Sequence, residues 1–133
     1  MRSELRIRRK PLSELEQKVM DCVWRSGPCT ADTCREALAA DRALKDSTVR
    51  TVLSRLEVKG YVTHSVDGRT NVYKPCDPPQ KVAARAVRQI IDRFCSGSVE
   101  ELLVGMVDDK VLDKEELQRL AAKIAAARKG KQP

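Results

Sequence analysis

Between Leu44 and Gly60 the sequence LKDSTVRTVLSRLEVKG places hydroxyls and cations along one side of an expected helix. Ser47, Thr48, Arg50, Thr51, Ser54, Arg55 and Lys59 share that side, with no carboxylate beyond Asp46 at its start. Hydroxyls and guanidinium forks can reach base edges and phosphate oxygens in a DNA major groove, where acids would be repelled. The same residues also suit a merely solvated basic face. The surrounding elements decide between the two.

Other chemistry finds little support. One histidine, His64, and no G-x-S-x-G, P-loop or H-E-x-x-H motif leave no constellation for nucleophilic or metal-assisted catalysis. No enzyme activity, cofactor or metal site is expected. The five cysteines, Cys22, Cys29, Cys34, Cys76 and Cys95, contain no C-x-x-C pair and read as free thiols of a reducing compartment, some of them buried. Thiolates with His64 would be the only donor set for a soft metal, and their spacing is wrong for a zinc knuckle. His64 itself reads as an ordinary strand residue.

The candidate face needs a helix to carry it. Val49, Val52, Leu53 and Leu56 fall at i, i+3, i+4 and i+7 and draw an apolar stripe opposite it. Asp46 or Ser47 is the expected N-cap, and Gly60 ends the helix. Upstream, Ser13-Glu14-Leu15-Glu16 is a capping box. It opens a helix with Leu15, Val19, Cys22 and Val23 on one stripe, Met20 and Trp24 beside it, and Gly27-Pro28 as the stop. Trp24 is expected in the core. Thr30 caps a second helix with a narrow face of Ala31, Cys34, Ala37 and Leu38. Downstream, YVTHSVDGRTNVYK switches to period two around an Asp67-Gly68 turn. Helix, helix, helix, hairpin is the order of a winged helix. Arg69 beside the turn and Lys74 suit phosphate contact.

Lys74-Pro75-Cys76-Asp77-Pro78-Pro79 reads as a stiff linker. The expected domains are 1–75, DNA-binding, with 1–11 as a flexible basic arm, and 76–133, helical. Ala83, Ala86, Val87, Ile90, Ile91 and Phe94 line one helix, which Ser96-Gly97 interrupts. A second box at Ser98–Glu101 opens the next, with Val99, Leu102, Leu103, Met106 and Val107 inward. Asp113 caps a last helix with Leu117, Leu120, Ala121, Ile124 and Ala127 inward; the tail from Arg128 is expected to fray. Three such helices cannot enclose much core alone. Burial against a second copy is expected, through Val87, Ile90, Ile91, Phe94, Leu102, Leu103, Met106, Leu117, Leu120 and Ile124. A two-fold dimer would also double the reading helix.

The whole-chain balance agrees. Lys and Arg number 26 against 19 Asp and Glu, a formal net charge of +7, which raises nucleic acid as a partner. The segment 44–75 holds six basic residues against three acids, so charge concentrates on the expected helix and wing. No apolar run approaches the roughly 18 residues of a membrane helix, and the basic N-terminus lacks a signal peptide's apolar segment. A cytoplasmic protein without membrane contact is expected.

LSELEQKVMDCVWRSGPCT, STVRTVLSRLEVKGYV, DGRTNVYKP and FCSGSVEELLVGMVDD, in that order, resemble the penicillinase and methicillin-resistance repressor family (BlaI/MecI type) from about Leu12 to Leu120. The resemblance implies a mainly α fold with a small hairpin: an N-terminal winged helix and a C-terminal helical dimerisation region. It implies a homodimeric repressor on a palindromic operator, with Ser47, Thr48, Arg50 and Thr51 reading bases and Arg55, Lys59 and Arg69 on phosphates. Ser54 joins them from the helix-face argument. Antibiotic-responsive members are released by cleavage at an Asn-Phe bond, where this chain has Gly105-Met106. Copper-responsive relatives carry Cys-x-Cys motifs near the C-terminus, and no cysteine follows Cys95. The releasing signal, an inducer or a protease, stays open. The alternatives are a regulator reading a small molecule or metal through its cysteines, and a winged helix that grips a protein partner.

Overall fold

In a computed structural model, which describes residues 10–131, six helices and one hairpin follow in order. They are α1 (Glu14–Ser26), α2 (Ala31–Leu38), α3 (Asp46–Val58), β1 (Val62–Asp67), β2 (Thr70–Pro75), α4 (Pro79–Phe94), α5 (Val99–Asp108) and α6 (Lys114–Lys131). Of the expected basic arm, all but Lys10 and Pro11 lies outside the described residues. Two compact units meet inside α4, between Val87 and Arg88.

The first unit forms because three helical stripes converge. Val19, Met20, Cys22 and Val23 of α1, Cys34 and Leu38 of α2, and Val49, Val52, Leu53 and Leu56 of α3 make one buried cluster with Tyr61, Val62 and Tyr73. The capping box at Ser13 forms in both directions: Glu16 N–H donates to Ser13 Oγ at 3.2 Å, and Ser13 N–H to Glu16 Oε1 at 2.8 Å. Thr30 caps α2 by accepting from Thr33 N–H. Ala37, expected inward, is exposed: α2 is only eight residues long, and Ala31, Cys34 and Leu38 already span its buried face.

Helix α3 starts differently from expectation. Its N-cap is Lys45, which makes no side-chain cap bond, and Asp46 lies within the first turn. A missing cap forgoes about 1 kcal/mol. Each of the four buried residues on the opposite stripe contributes about 1.5–3 kcal/mol, so tertiary burial fixes this helix without the cap. Its end is a Schellman motif. Gly60 at φ +87° lets Tyr61 N–H reach Leu56 C=O at 2.9 Å and Gly60 N–H reach Glu57 C=O at 3.0 Å.

The hairpin pairs Val62 with Pro75 through Asp67 with Thr70, so its two-residue turn is Gly68-Arg69, one residue later than expected. Gly68 takes the positive φ (+66°) at the first turn position, where a Gly-X turn requires it. Val66, next to the turn end of β1, is 64% exposed. Cys29 and Tyr73 exchange two backbone bonds, of 2.9 and 2.7 Å, which ties the segment before α2 to β2.

Trp24 is half-buried against the core rather than enclosed by it, and its indole N–H donates to Asp77 C=O at 2.9 Å. Asp77 also pairs with Arg85 at 2.9 Å. The proline segment is thus tied down on both sides, and α4 opens at Pro79, where the missing N–H is not needed.

In the second unit, Ser96 and Gly97 break the chain at positive φ. Ser98 accepts from Glu101 N–H at 3.1 Å and Asp113 from Glu116 N–H at 2.6 Å, as their positions predict. Ile91 is buried, while Leu102, Leu103, Met106, Val107 and Leu117 are half-buried. Leu120, Ala121, Ile124 and Ala127, expected inward, are exposed in the single chain. Helix α6 continues through Lys131 instead of fraying at Arg128.

Glu16 is only 4% exposed, and the Lys59 ammonium beside it holds its carboxyl below the ordinary 4.5. Its contribution is complete above about pH 4.5 and is lost as pH falls through the lowered folded value. Glu16→Gln is expected to lose about 2 kcal/mol of unfolding free energy near neutral pH. In urea titrations across pH, that deficit should close on acidification, because the wild-type carboxyl is then neutral as well.

Candidate nucleic-acid interface

With Val49, Val52, Leu53 and Leu56 sealed in the core, α3 turns its other side to solvent. Ser47, Arg50, Thr51, Ser54 and Arg55 are exposed there, and Thr48 is half-buried. Thr51 Oγ1 donates to Ser47 C=O at 2.9 Å, so that hydroxyl is partly committed to its own helix. Arg69 is exposed at the wing turn, and Lys74 is exposed on β2. Lys45, at the N-cap, and Arg42 before it add exposed cations that the helix-face reading passed over, because periodicity does not reach into a loop.

Two members of the expected set have partners inside the fold. Lys59 donates to Glu16 Oε1 at 2.7 Å and to Pro11 C=O at 3.2 Å. Its ammonium is drawn back onto the end of α1's capping box, where it pairs with the buried Glu16 carboxylate. Arg50 Nε donates to Asp46 Oδ2 at 2.6 Å. That pair holds the Asp46 carboxyl below its usual range and raises the Arg50 guanidinium further above its own. His64 is exposed on β1, faces both oxygens of Glu57 at 2.7 and 2.8 Å and leans on the Tyr73 ring at 5.5 Å.

Cys22, Cys29 and Cys34 are buried, Cys95 is half-buried and Cys76 is exposed. Cys29 and Cys34 sulfurs lie 3.6 Å apart, and this contact together with burial pushes the Cys34 thiol far up. Among the described residues no group of three or more His, Cys, Asp or Glu is arranged to hold a metal ion. No helix among them is long and apolar enough to cross a membrane.

The family model described as the penicillinase repressor matches residues 12–126, nearly the whole described chain. The chain belongs to the penicillinase repressor family. It is a transcriptional repressor of the BlaI/MecI type with a winged-helix fold. It is 36% identical over 124 residues to the transcriptional regulator BlaI of Mycobacterium tuberculosis, covering 92% of this chain and 90% of that one. It is 24% identical over 110 residues to the penicillinase repressor of Bacillus licheniformis, covering 82% and 85%. A solution structure of the monomeric form of Bacillus licheniformis BlaI in complex with the blaP half-operator aligns at TM-score 0.46 and 26% identity, covering 54% of this chain and 88% of that one.

Arg55 and Lys59 separate two uses of a cation on one helix. Lys59→Ala is expected to lower folding stability by about 2 kcal/mol, since it leaves the buried Glu16 carboxylate without its partner. Arg55→Ala should stay within about 0.5 kcal/mol, as exposed substitutions do. Thermal melts of the two variants followed by circular dichroism check the contrast.

Proposed function

We propose that this repressor binds double-stranded DNA as a homodimer on a palindromic operator, with one α3 in the major groove of each half-site. The observation that carries this reading is the division of α3: four apolar residues sealed on one side, hydroxyls and cations exposed on the other. Ser47, Thr48, Arg50 and Thr51 read the bases from the first turns, as recognition helices present that end to the groove. Ser54, Arg55 and Arg69 contact phosphates, with Lys74, Lys45 and Arg42 adding to the positive field. Lys59 leaves this set because Glu16 holds it.

We assign DNA binding to 1–75 and dimerisation to 76–133, although the linker and the first half of α4, up to Val87, belong to the first compact unit. Val87, Ile90 and Phe94 stand 39%, 45% and 74% exposed along one face of α4, and Leu120 and Ile124 stand 44% and 60% exposed on α6. Apolar surface on that scale is unusual for a monomer and suits burial against a second copy. Leu102, Leu103, Met106 and Leu117 are half-buried; Ile91 is already buried within its own chain and drops out. The Gly105-Met106 position lies inside α5 and lacks the Asn-Phe pair. Release at that bond is thereby disfavoured, and the releasing signal stays open between an inducer and a protease.

Arg50→Ala should lose about 1–3 kcal/mol of binding to the preferred duplex and relax preference at one base pair. Arg69→Ala should weaken all duplexes alike and flatten the salt dependence by about one phosphate, or roughly 0.9 in the log–log slope. Gel-shift titrations across salt and sequence read both; an Arg50→Ala protein with unchanged affinity and preference would remove α3 from the groove. The preferred sites should hold half-sites about 10 bp apart, or a multiple. Sedimentation at micromolar protein should give a dimer mass for the wild type and a monomer for Phe94→Glu. A monomeric wild type with DNA binding intact would end the dimer proposal.

A further inference from the structure

Asp46 is the acid at the base-reading end of α3, placed where a DNA phosphate would repel it; Glu57, further along the same side, is engaged by His64. Asp46 does not act as the helix cap, since Lys45 holds that position without any side-chain bond. Its Oδ2 instead takes Arg50 Nε at 2.6 Å. Its other oxygen, Oδ1, is buried without a hydrogen bond among the described residues, and so is Arg35 Nε from α2. Arg35 also draws the Asp46 carboxyl downward, and Arg35 itself pairs with Asp32 at 3.4 Å. Two ion pairs, Asp32 with Arg35 on α2 and Asp46 with Arg50 on α3, thus lie close enough for the first to act on the Asp46 carboxyl, though less than Arg50 does.

A free arginine rotates about four side-chain bonds and loses that freedom on binding. Holding Nε on the Asp46 carboxylate removes part of it beforehand. It also selects which part of the guanidinium points outward. With Nε engaged, the two terminal nitrogens remain as a fork, the arrangement that matches the paired acceptors O6 and N7 of a guanine in the major groove. An ordinary i, i+4 surface pair would add only a little helix stability and would affect every DNA sequence equally.

We propose that Asp46 is a positioning residue that sets the Arg50 guanidinium to read a guanine edge, so that this acid confers sequence specificity while slightly weakening attachment to DNA in general. The proposal rests on α3 being the groove-reading helix.

The test uses the full chain and the duplex that it enriches from a randomised library, with each base pair then replaced singly, and a scrambled duplex as the non-specific probe. Arg50→Ala marks the base pair whose replacement ceases to matter, where the wild type should discriminate by about tenfold. Asp46→Ala should reduce discrimination at that same pair to within about twofold of none. It should leave the other pairs unchanged and bind the scrambled duplex as tightly as wild type or more so, since an anion has left the interface. Adding Asp46→Ala to Arg50→Ala should bring no further loss of discrimination, because both changes remove one device. Wild-type discrimination in Asp46→Ala overturns the proposal. So does an equal weakening on enriched and scrambled duplexes with a lowered melting temperature, which marks a purely structural acid. If Arg50→Ala relaxes no base pair at all, the groove-reading assignment falls as well, and the two failures are told apart by that first variant.

Discussion

The bond between Lys59 and Glu16 is the constraint on which the first unit depends. One carboxylate oxygen, Glu16 Oε1, accepts the Ser13 amide that opens α1 and the Lys59 ammonium that closes α3. A carboxylate so little exposed is unfavourable without a cation, and a cation so placed is unfavourable without the carboxylate. Each therefore fixes the other. The start of one helix and the end of another are pinned together, and the rotation of α3 about its own axis is set. That rotation decides which residues of α3 meet solvent.

Rotation matters because α3 has two chemically opposite sides and little else to define it. It lacks a side-chain N-cap, and its stability comes from the buried stripe. The Schellman turn at Gly60 then redirects the chain into β1, and Cys76 N–H returns to Tyr61 C=O at 2.9 Å, so the wing is anchored to the same helix end. Arg69 is presented by a turn whose register follows from that anchor. The geometry of the candidate interface is in this sense a consequence of packing on the far side of the helix.

The second unit follows the opposite logic. Its helices are well capped and properly broken at Ser96-Gly97, so local signals suffice to form them. What they lack is an interior. Apolar side chains on α4 and α6 remain in water in the single chain, because about 45 residues of helix offer too little volume to enclose them. Local structure and burial are thus satisfied separately: the first unit closes its own core, and the second leaves apolar side chains exposed in the single chain.

The sequence by itself determined the order of elements, the buried stripes of α1 and α3, the helix stops at glycine and the family, because these depend on spacing of three and four residues and on local caps. It erred by single residues where neighbouring signals competed, at the N-cap of α3 and at the wing turn, which settles on Gly68-Arg69 since glycine is needed at its first position. Tertiary structure alone decided the fates of individual charges. Lys59 and Arg55 look alike in sequence, yet one lies against a buried acid forty-three positions away and the other faces water. Ile91 and Ile90 are neighbours with opposite exposure. Periodicity names a face; it takes the distant partner, brought near only by folding, to say which members of that face remain free.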